Sequence, residues 1–126
     1  MTTTWPQATL TAIDTADDLK ISPLRPDAVT FGTPTWIWSV VVDGELYVRG
    51  YNGTASRWYQ AAMARPEGRI HAAGQVHDVT FEAAPADLTD AIDDAYRVKY
   101  ASSPYLPPML SGRARAAGVR ISPHHA

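Results

Sequence analysis

An arginine lies among aromatic residues in the first half of the chain, where two β-rich runs flank Asp43-Gly44. A two-residue Asp-Gly turn favours a tight hairpin over residues 35–51, and pairing Val42 with Glu45 fixes its register. In that register one face carries the pairs Trp36 with Tyr51, Trp38 with Arg49 and Val40 with Tyr47. A planar ligand could stack on these rings while Arg49 pairs with a negative charge. The same residue types are enriched in interface hot spots, so a subunit interface explains this face equally well.

A polar segment, Asn52-Gly53-Thr54-Ala55-Ser56-Arg57, follows that hairpin. Ser56 can cap a short helix that contains Trp58, and the unpaired amide groups at a helix N terminus attract anions. Asn52, Ser56 and Arg57 are therefore candidates to hold the phosphate or carboxylate of a ligand or cofactor. In the alternative interpretation Ser56 only caps the helix and Arg57 is solvated.

Tyr96, Lys99 and Tyr100 come together at the end of a predicted helix. A cation and a phenol can hold or move a proton of a substrate, so these residues and Trp58 are candidates for substrate contact. A basic residue at a helix C terminus also complements the helix dipole without any further role. No catalytic acid, base or nucleophile is assigned.

His71 and His77 flank a turn near Gly74. They lie opposite each other if the turn has three residues and on opposite faces if it has two, because a slip of one residue inverts a strand. Two histidines without an evident third ligand fall short of a catalytic zinc site. We expect no metal.

These residues require an antiparallel sheet with flanking helices to position them. In the hairpin, the face opposite the aromatic pairs carries Ile37, Ser39, Val41, Leu46 and Val48 and is expected to face the core. The predicted elements are a helix from a Thr4 cap to about Ala16 with Leu10 and Ile13 inward, a strand over 19–24, the hairpin over 35–51, a short helix from Ser56 to before Pro66, a hairpin of 69–72 with 76–82, an amphipathic helix over 87–100, a helix over 109–116 and a strand over 119–122.

The amino-acid composition limits the classes of partner that the protein is expected to bind. The chain has 126 residues, of which 45% are apolar and 19% charged, as expected for one globular domain spanning residues 1–126. A net charge of -2 argues against nucleic acid, and no apolar run approaches a membrane span. The absence of cysteine excludes disulfides and thiolate chemistry. We expect a cytoplasmic protein with a small-molecule ligand.

Several motifs carry a family resemblance. Residues 36–38, 46–49, 68–70, 78–81 and 95–100 resemble the domain-of-unknown-function family 2255, and 44–49 with 56–59 and Pro66 resemble flavin-binding split barrels. This implies an α+β fold, a mostly antiparallel split β-barrel with flanking helices, related to pyridoxamine-phosphate oxidases and deazaflavin-dependent nitroreductases. It also implies a homodimer and a cofactor phosphate at the turn before Trp58. Flavin oxidases usually have a second basic residue at the position of Trp58.

Three hypotheses for the function follow. The first is a flavin- or deazaflavin-dependent reductase, with FMN or a deazaflavin coenzyme as the cofactor. The second is a cofactor-free cyclase or isomerase that orients an aromatic or polyene metabolite, an interpretation that Trp58 favours. The third is a non-catalytic dimeric binding domain.

Overall fold

The computed structural model describes residues 5–16, 19–25, 27, 29–32 and 34–123. The elements follow in the order α1 (Gln7–Thr15), β1 (Lys20–Pro23), β2 (Thr35–Trp36), β3 (Ser39–Val42), β4 (Glu45–Arg49), α2 (Arg57–Ala64), β5 (Glu67–Ala72), β6 (Gln75–Ala83), α3 (Thr89–Lys99), α4 (Leu106–Met109), α5 (Gly112–Arg115) and β7 (Gly118–Pro123). Short 3₁₀ turns precede α2 and α3 at Gly53–Ala55 and Ala86–Leu88.

The strands form one antiparallel sheet that curls into a barrel. The described residues form seven strands in the order β2-β1-β5-β6-β7-β4-β3, so β2 and β3 occupy opposite edges of this sheet. Only Ile37 and Trp38 separate these two strands along the chain, and three residue steps span at most about 10 Å. The two edges must therefore meet at one corner. The predicted α+β split barrel with flanking helices is confirmed.

The first hairpin has the predicted register at its turn but not at its far end. Val42 pairs with Glu45 and Ser39 with Val48, around an Asp43-Gly44 turn with positive φ at both residues. The predicted pairing of Trp36 with Tyr51 is wrong, because Trp36 pairs with Lys20 of β1. The strand changes partner at the barrel corner, and closing the barrel requires this change.

The second hairpin resolves the two alternatives for the histidines. Ala73 and Gly74 form a two-residue turn, with φ of 52° and 76°. Ala72 therefore pairs with Gln75, His71 with Val76 and Ile70 with His77. His71 and His77 lie on opposite faces of the sheet, so they do not form a pair.

Apolar side chains form two clusters on the two faces of the hairpin strands. The first fills the barrel and includes Leu46 and Val48, with α1 and α2 contributing Leu10, Ile13 and Trp58. The second lies outside the barrel, where Val40 and Tyr47 pack against Ile92 and Tyr96 of α3. The hairpin face predicted to be an open aromatic surface is therefore largely covered by a helix of the same chain.

The helices agree with the predicted ones except near the end of the chain. Segment 109–116 is predicted as one helix but forms two, because Ser111 is extended (ψ 159°) and caps α5 by accepting a hydrogen bond from the Ala114 amide. The predicted cap at Thr4 lies outside the described residues. None of the described helices has the length and apolar character needed to cross a membrane.

Candidate functional site

A cavity of about 440 Å³ opens at the barrel corner. Three parts of the fold supply its walls: the strand crossing from β2 to β3, the segment from the end of β4 into α2, and the connection after α3. Its lining residues are Thr35, Trp36, Ile37, Trp38, Arg49, Tyr51, Asn52, Ser56, Arg57, Trp58, Tyr105 and Met109. Eight predicted site residues thus line a single cavity: Trp36, Trp38, Arg49, Tyr51, Asn52, Ser56, Arg57 and Trp58.

The aromatic wall comes from the crossing strand. Trp36 and Tyr51 are exposed at the mouth of the cavity, by 61% and 44% respectively. The indole of Trp38 is half-buried and stacks on the ring of Tyr100, with centroids 4.0 Å apart and planes within 4°. Since one face of this indole is covered by Tyr100, only its other face is available to a ligand.

The three predicted residues at the end of α3, Tyr96, Lys99 and the following Tyr100, lie behind this wall and not in the cavity. The Tyr96 hydroxyl donates a hydrogen bond to the Trp38 carbonyl (3.1 Å), and Lys99 Nζ donates one to the Ser39 carbonyl (2.8 Å). The Tyr100 hydroxyl bonds the Ser39 amide and carbonyl, both at 3.2 Å. These side chains satisfy backbone groups where the strand changes partner. Burial also raises the pKa of Tyr96, which keeps its phenol protonated as a donor.

Arg49 lines the cavity, but its guanidinium is already engaged. The side chain is 1% exposed and forms an ion pair with Asp93 of α3. Its Nη atoms also donate to the carbonyls of Met109 (3.1 Å) and Thr89 (3.0 Å), while Nε has no hydrogen-bond partner among the described residues. Arg49 therefore ties β4 to α3 and α4, and Asp93 neutralises its charge. The sequence does not indicate Asp93 as its partner, because 44 residues separate the two.

The polar end of the cavity is the start of α2. Ser56 is 7% exposed, and its hydroxyl neither caps the helix nor bonds another described residue. Arg57 is exposed and forms no ion pair within the described part of the chain. The first amide groups of this eight-residue helix have no partner inside the helix, as at any helix start. These groups can donate hydrogen bonds to a bound anion.

The sequence does not indicate four of the lining residues, and four predicted site residues, Tyr47 and the three at the end of α3, lie outside the cavity. Thr35 and Ile37 are the neighbours of predicted residues on the crossing strand, whereas Tyr105 precedes α4 and Met109 ends it. No local pattern in the sequence predicts that the segment after α3 packs at the barrel corner. Tyr47 is outside the cavity: it is 1% exposed, and burial raises its pKa despite a hydrogen bond with Arg120.

The fold and cavity define the class: an antiparallel half-barrel with flanking helices and a pocket at its corner. The chain belongs to the family described as uncharacterized protein conserved in bacteria (DUF2255), whose model matches residues 9–121. Among solved structures it is similar to the conserved hypothetical protein Rv2991 from Mycobacterium tuberculosis, with a TM-score of 0.65 and 16% identity over 98% of this chain and 83% of that one. This identity supports similarity of fold alone. No curated protein matches the chain.

Proposed function

We propose that this is a cytoplasmic, single-domain protein whose corner cavity binds a planar, negatively charged small molecule. We propose that this small molecule is a flavin or deazaflavin coenzyme, which the protein uses to reduce a substrate. One observation carries the proposal: a single cavity joins the aromatic wall of Trp36 and Trp38 to the donors of Ser56 and Arg57. Planar rings and an anion on one molecule would use both ends.

The residues present fit such a ligand. The volume of about 440 Å³ falls in the range of roughly 300–1,000 Å³ that is usual for ligand pockets. The open face of Trp38 and the exposed Trp36 suit a stacked ring. The unpartnered Ser56 hydroxyl, Arg57 and the α2 amides suit the anionic group.

When bound, the coenzyme would supply the hydride chemistry, and the protein would supply binding and orientation. The residues of this chain would hold the ring against Trp38 and the anion at α2. Lys99 and Tyr100 already bond Ser39, so neither is assigned as an acid or base.

The visible absorption spectrum of the purified protein tests the proposal. FMN and deazaflavin coenzymes absorb at different visible wavelengths, whereas the polypeptide does not. A colourless preparation would then be titrated with each coenzyme while the tryptophan fluorescence is followed. We expect quenching by at least one of them, and an unchanged emission with both would contradict the proposal.

A second candidate is a cofactor-free cyclase or isomerase acting on an aromatic or polyene metabolite. The observation that favours it is Trp58, which is only 9% exposed and lines the cavity at the position where flavin oxidases usually have a second cation. An apolar wall there suits an apolar substrate. Tighter binding of an uncharged aromatic probe than of either coenzyme would favour this candidate.

A third candidate is a non-catalytic dimeric binding domain. Trp36, Tyr51 and Tyr105 are all exposed around the mouth of the cavity, and exposed aromatic residues are typical of contact surfaces. If a partner subunit covers these rings, the apparent cavity is part of the interface. Coenzyme titrations that change neither the fluorescence nor the mass of a stable dimer would favour it.

A further inference from the structure

The turn before α2 is covered by a residue from much later in the chain. Gly53 is buried, with φ of +66°, and a Cβ at this position would lie 2.3 Å from Cγ and 3.2 Å from Cδ of Arg113. The stem of Arg113 thus lies directly on the backbone of Gly53. Only glycine permits this approach and this φ together.

The charge of Arg113 lies at the end of this exposed side chain, which is not itself among the residues that line the cavity. The guanidinium carbon is two bonds beyond Cδ, which adds about 2.5 Å at most. Asn52 and Ser56, on either side of the 3₁₀ turn that contains Gly53, both line the cavity. The stem of Arg113 therefore lies against the turn that joins two residues of the polar end of the cavity.

Neither Arg113 nor Arg57 is neutralised by a carboxylate among the described residues. The neighbouring arginines differ: Arg49 pairs with Asp93, and Arg115 pairs with Asp90 and Asp93. Two unneutralised cations thus flank a turn that also offers the unpartnered, nearly buried Ser56 hydroxyl.

We propose that Arg113 is a binding residue that supplies the second cation of this site, and that the anion bound there is doubly charged, of the phosphate class. This rests on the proposed function, since it names the charged group of that ligand. Arg113 performs from α5 the role that a basic residue at position 58 would perform from α2. Arg49 is excluded from this role because a second anion beside it would approach Asp93.

Titration with inorganic phosphate, followed by amide and arginine Nε–H NMR signals, tests the inference without any coenzyme. In the wild type we expect shifts at residues 53–58 and at Arg113 Nε–H. Arg113→Gln keeps the stem over Gly53 and removes the charge, so phosphate affinity should fall by about fivefold, as for a partly exposed charged pair. Arg65→Gln removes the same charge at the other end of α2 and should change nothing.

Equal phosphate affinity in Arg113→Gln and the wild type would overturn the inference, as would the absence of shifts at residues 53–58. A parallel titration with FMN separates it from the proposed function. If phosphate binds as described but neither FMN nor a deazaflavin coenzyme binds more tightly than phosphate, the planar-ligand proposal fails while the assignment of Arg113 stands. If FMN binds and Arg113→Gln has no effect with either probe, the assignment of Arg113 fails while the planar-ligand proposal stands.

Discussion

Arg49 is the residue whose role changes most between sequence and structure. Its spacing in the hairpin predicts a ligand contact, and it does line the cavity, yet its guanidinium is buried against Asp93. Because Arg49 is two positions from Tyr47 on the same strand, the sequence can place both side chains on one face. Whether its charge is already paired depends on α3, which begins at Thr89, 40 residues later in the chain.

Removing the charge of Arg49 should therefore destabilise the fold. Within the described part of the chain, Arg49→Met leaves the buried Asp93 with the longer contact to Arg115 (3.3 Å) as its remaining ion pair, and we expect a loss of about 3 kcal/mol in the free energy of unfolding. Urea denaturation measures it. The double variant Arg49→Met with Asp93→Leu should recover part of the loss because no unpaired charge remains. Equal midpoints for Arg49→Met and the wild type would show that the pair is not structural.

Tyr100 should act on the site through Trp38. Tyr100→Phe keeps the stacked ring, whereas Tyr100→Leu removes it, so the near-UV circular dichroism of Trp38 should be retained in the first and reduced in the second. The lost ring contact should also cost Tyr100→Leu about 1 kcal/mol relative to Tyr100→Phe. Indistinguishable spectra of the Leu variant and the wild type would contradict this role.

At the scale of elements, local signals predict the parts of the fold that local chemistry determines. The Asp43-Gly44 turn and strand alternation give the register from Val42 to Ser39. The same alternation continues through Ile37 and Trp36, so nothing in the sequence marks the change of partner. That change results from closure of the sheet, which is a property of all seven strands.

The inward face of the hairpin can be tested by truncation. Leu46 and Val48 are fully buried in the barrel, so Leu46→Ala and Val48→Ala should each lower the free energy of unfolding by roughly 2 kcal/mol. Val76→Ala is the matched control, because Val76 is a strand residue that is 56% exposed and should cost less than about 0.5 kcal/mol. Unchanged denaturation midpoints for both buried variants would mean that the faces are reversed.

The candidate site is predictable only where its residues are close in the sequence. Residues 36–38, 49–52 and 56–58 fall within one stretch, and their strand and helix signals place them together. Tyr105 and Met109 reach the same corner through α3 and the Pro-rich connection. Their contribution depends on tertiary packing of α3 against the hairpin.

At the scale of the whole molecule, we predict a homodimer. The exposed aromatic surface that supports this prediction is smaller than the sequence suggests, since α3 covers much of the aromatic face. Trp36, Tyr51 and Tyr105 nevertheless remain exposed around one opening, and clustered exposed rings favour association. Light scattering should give twice the chain mass at micromolar concentration. A single species of monomer mass would contradict the prediction.

The central claim is that one ligand uses both ends of the corner cavity, and calorimetry with FMN and riboflavin tests it most directly. Trp36→Leu removes a ring at the mouth and should weaken both flavins by about tenfold, whereas Arg57→Gln should weaken FMN by a similar factor and leave riboflavin unchanged. Val98→Ala, at an exposed position outside the cavity, is the control. FMN affinity equal to that of the wild type in both cavity variants, or no binding of FMN, riboflavin or a deazaflavin coenzyme, would contradict the claim.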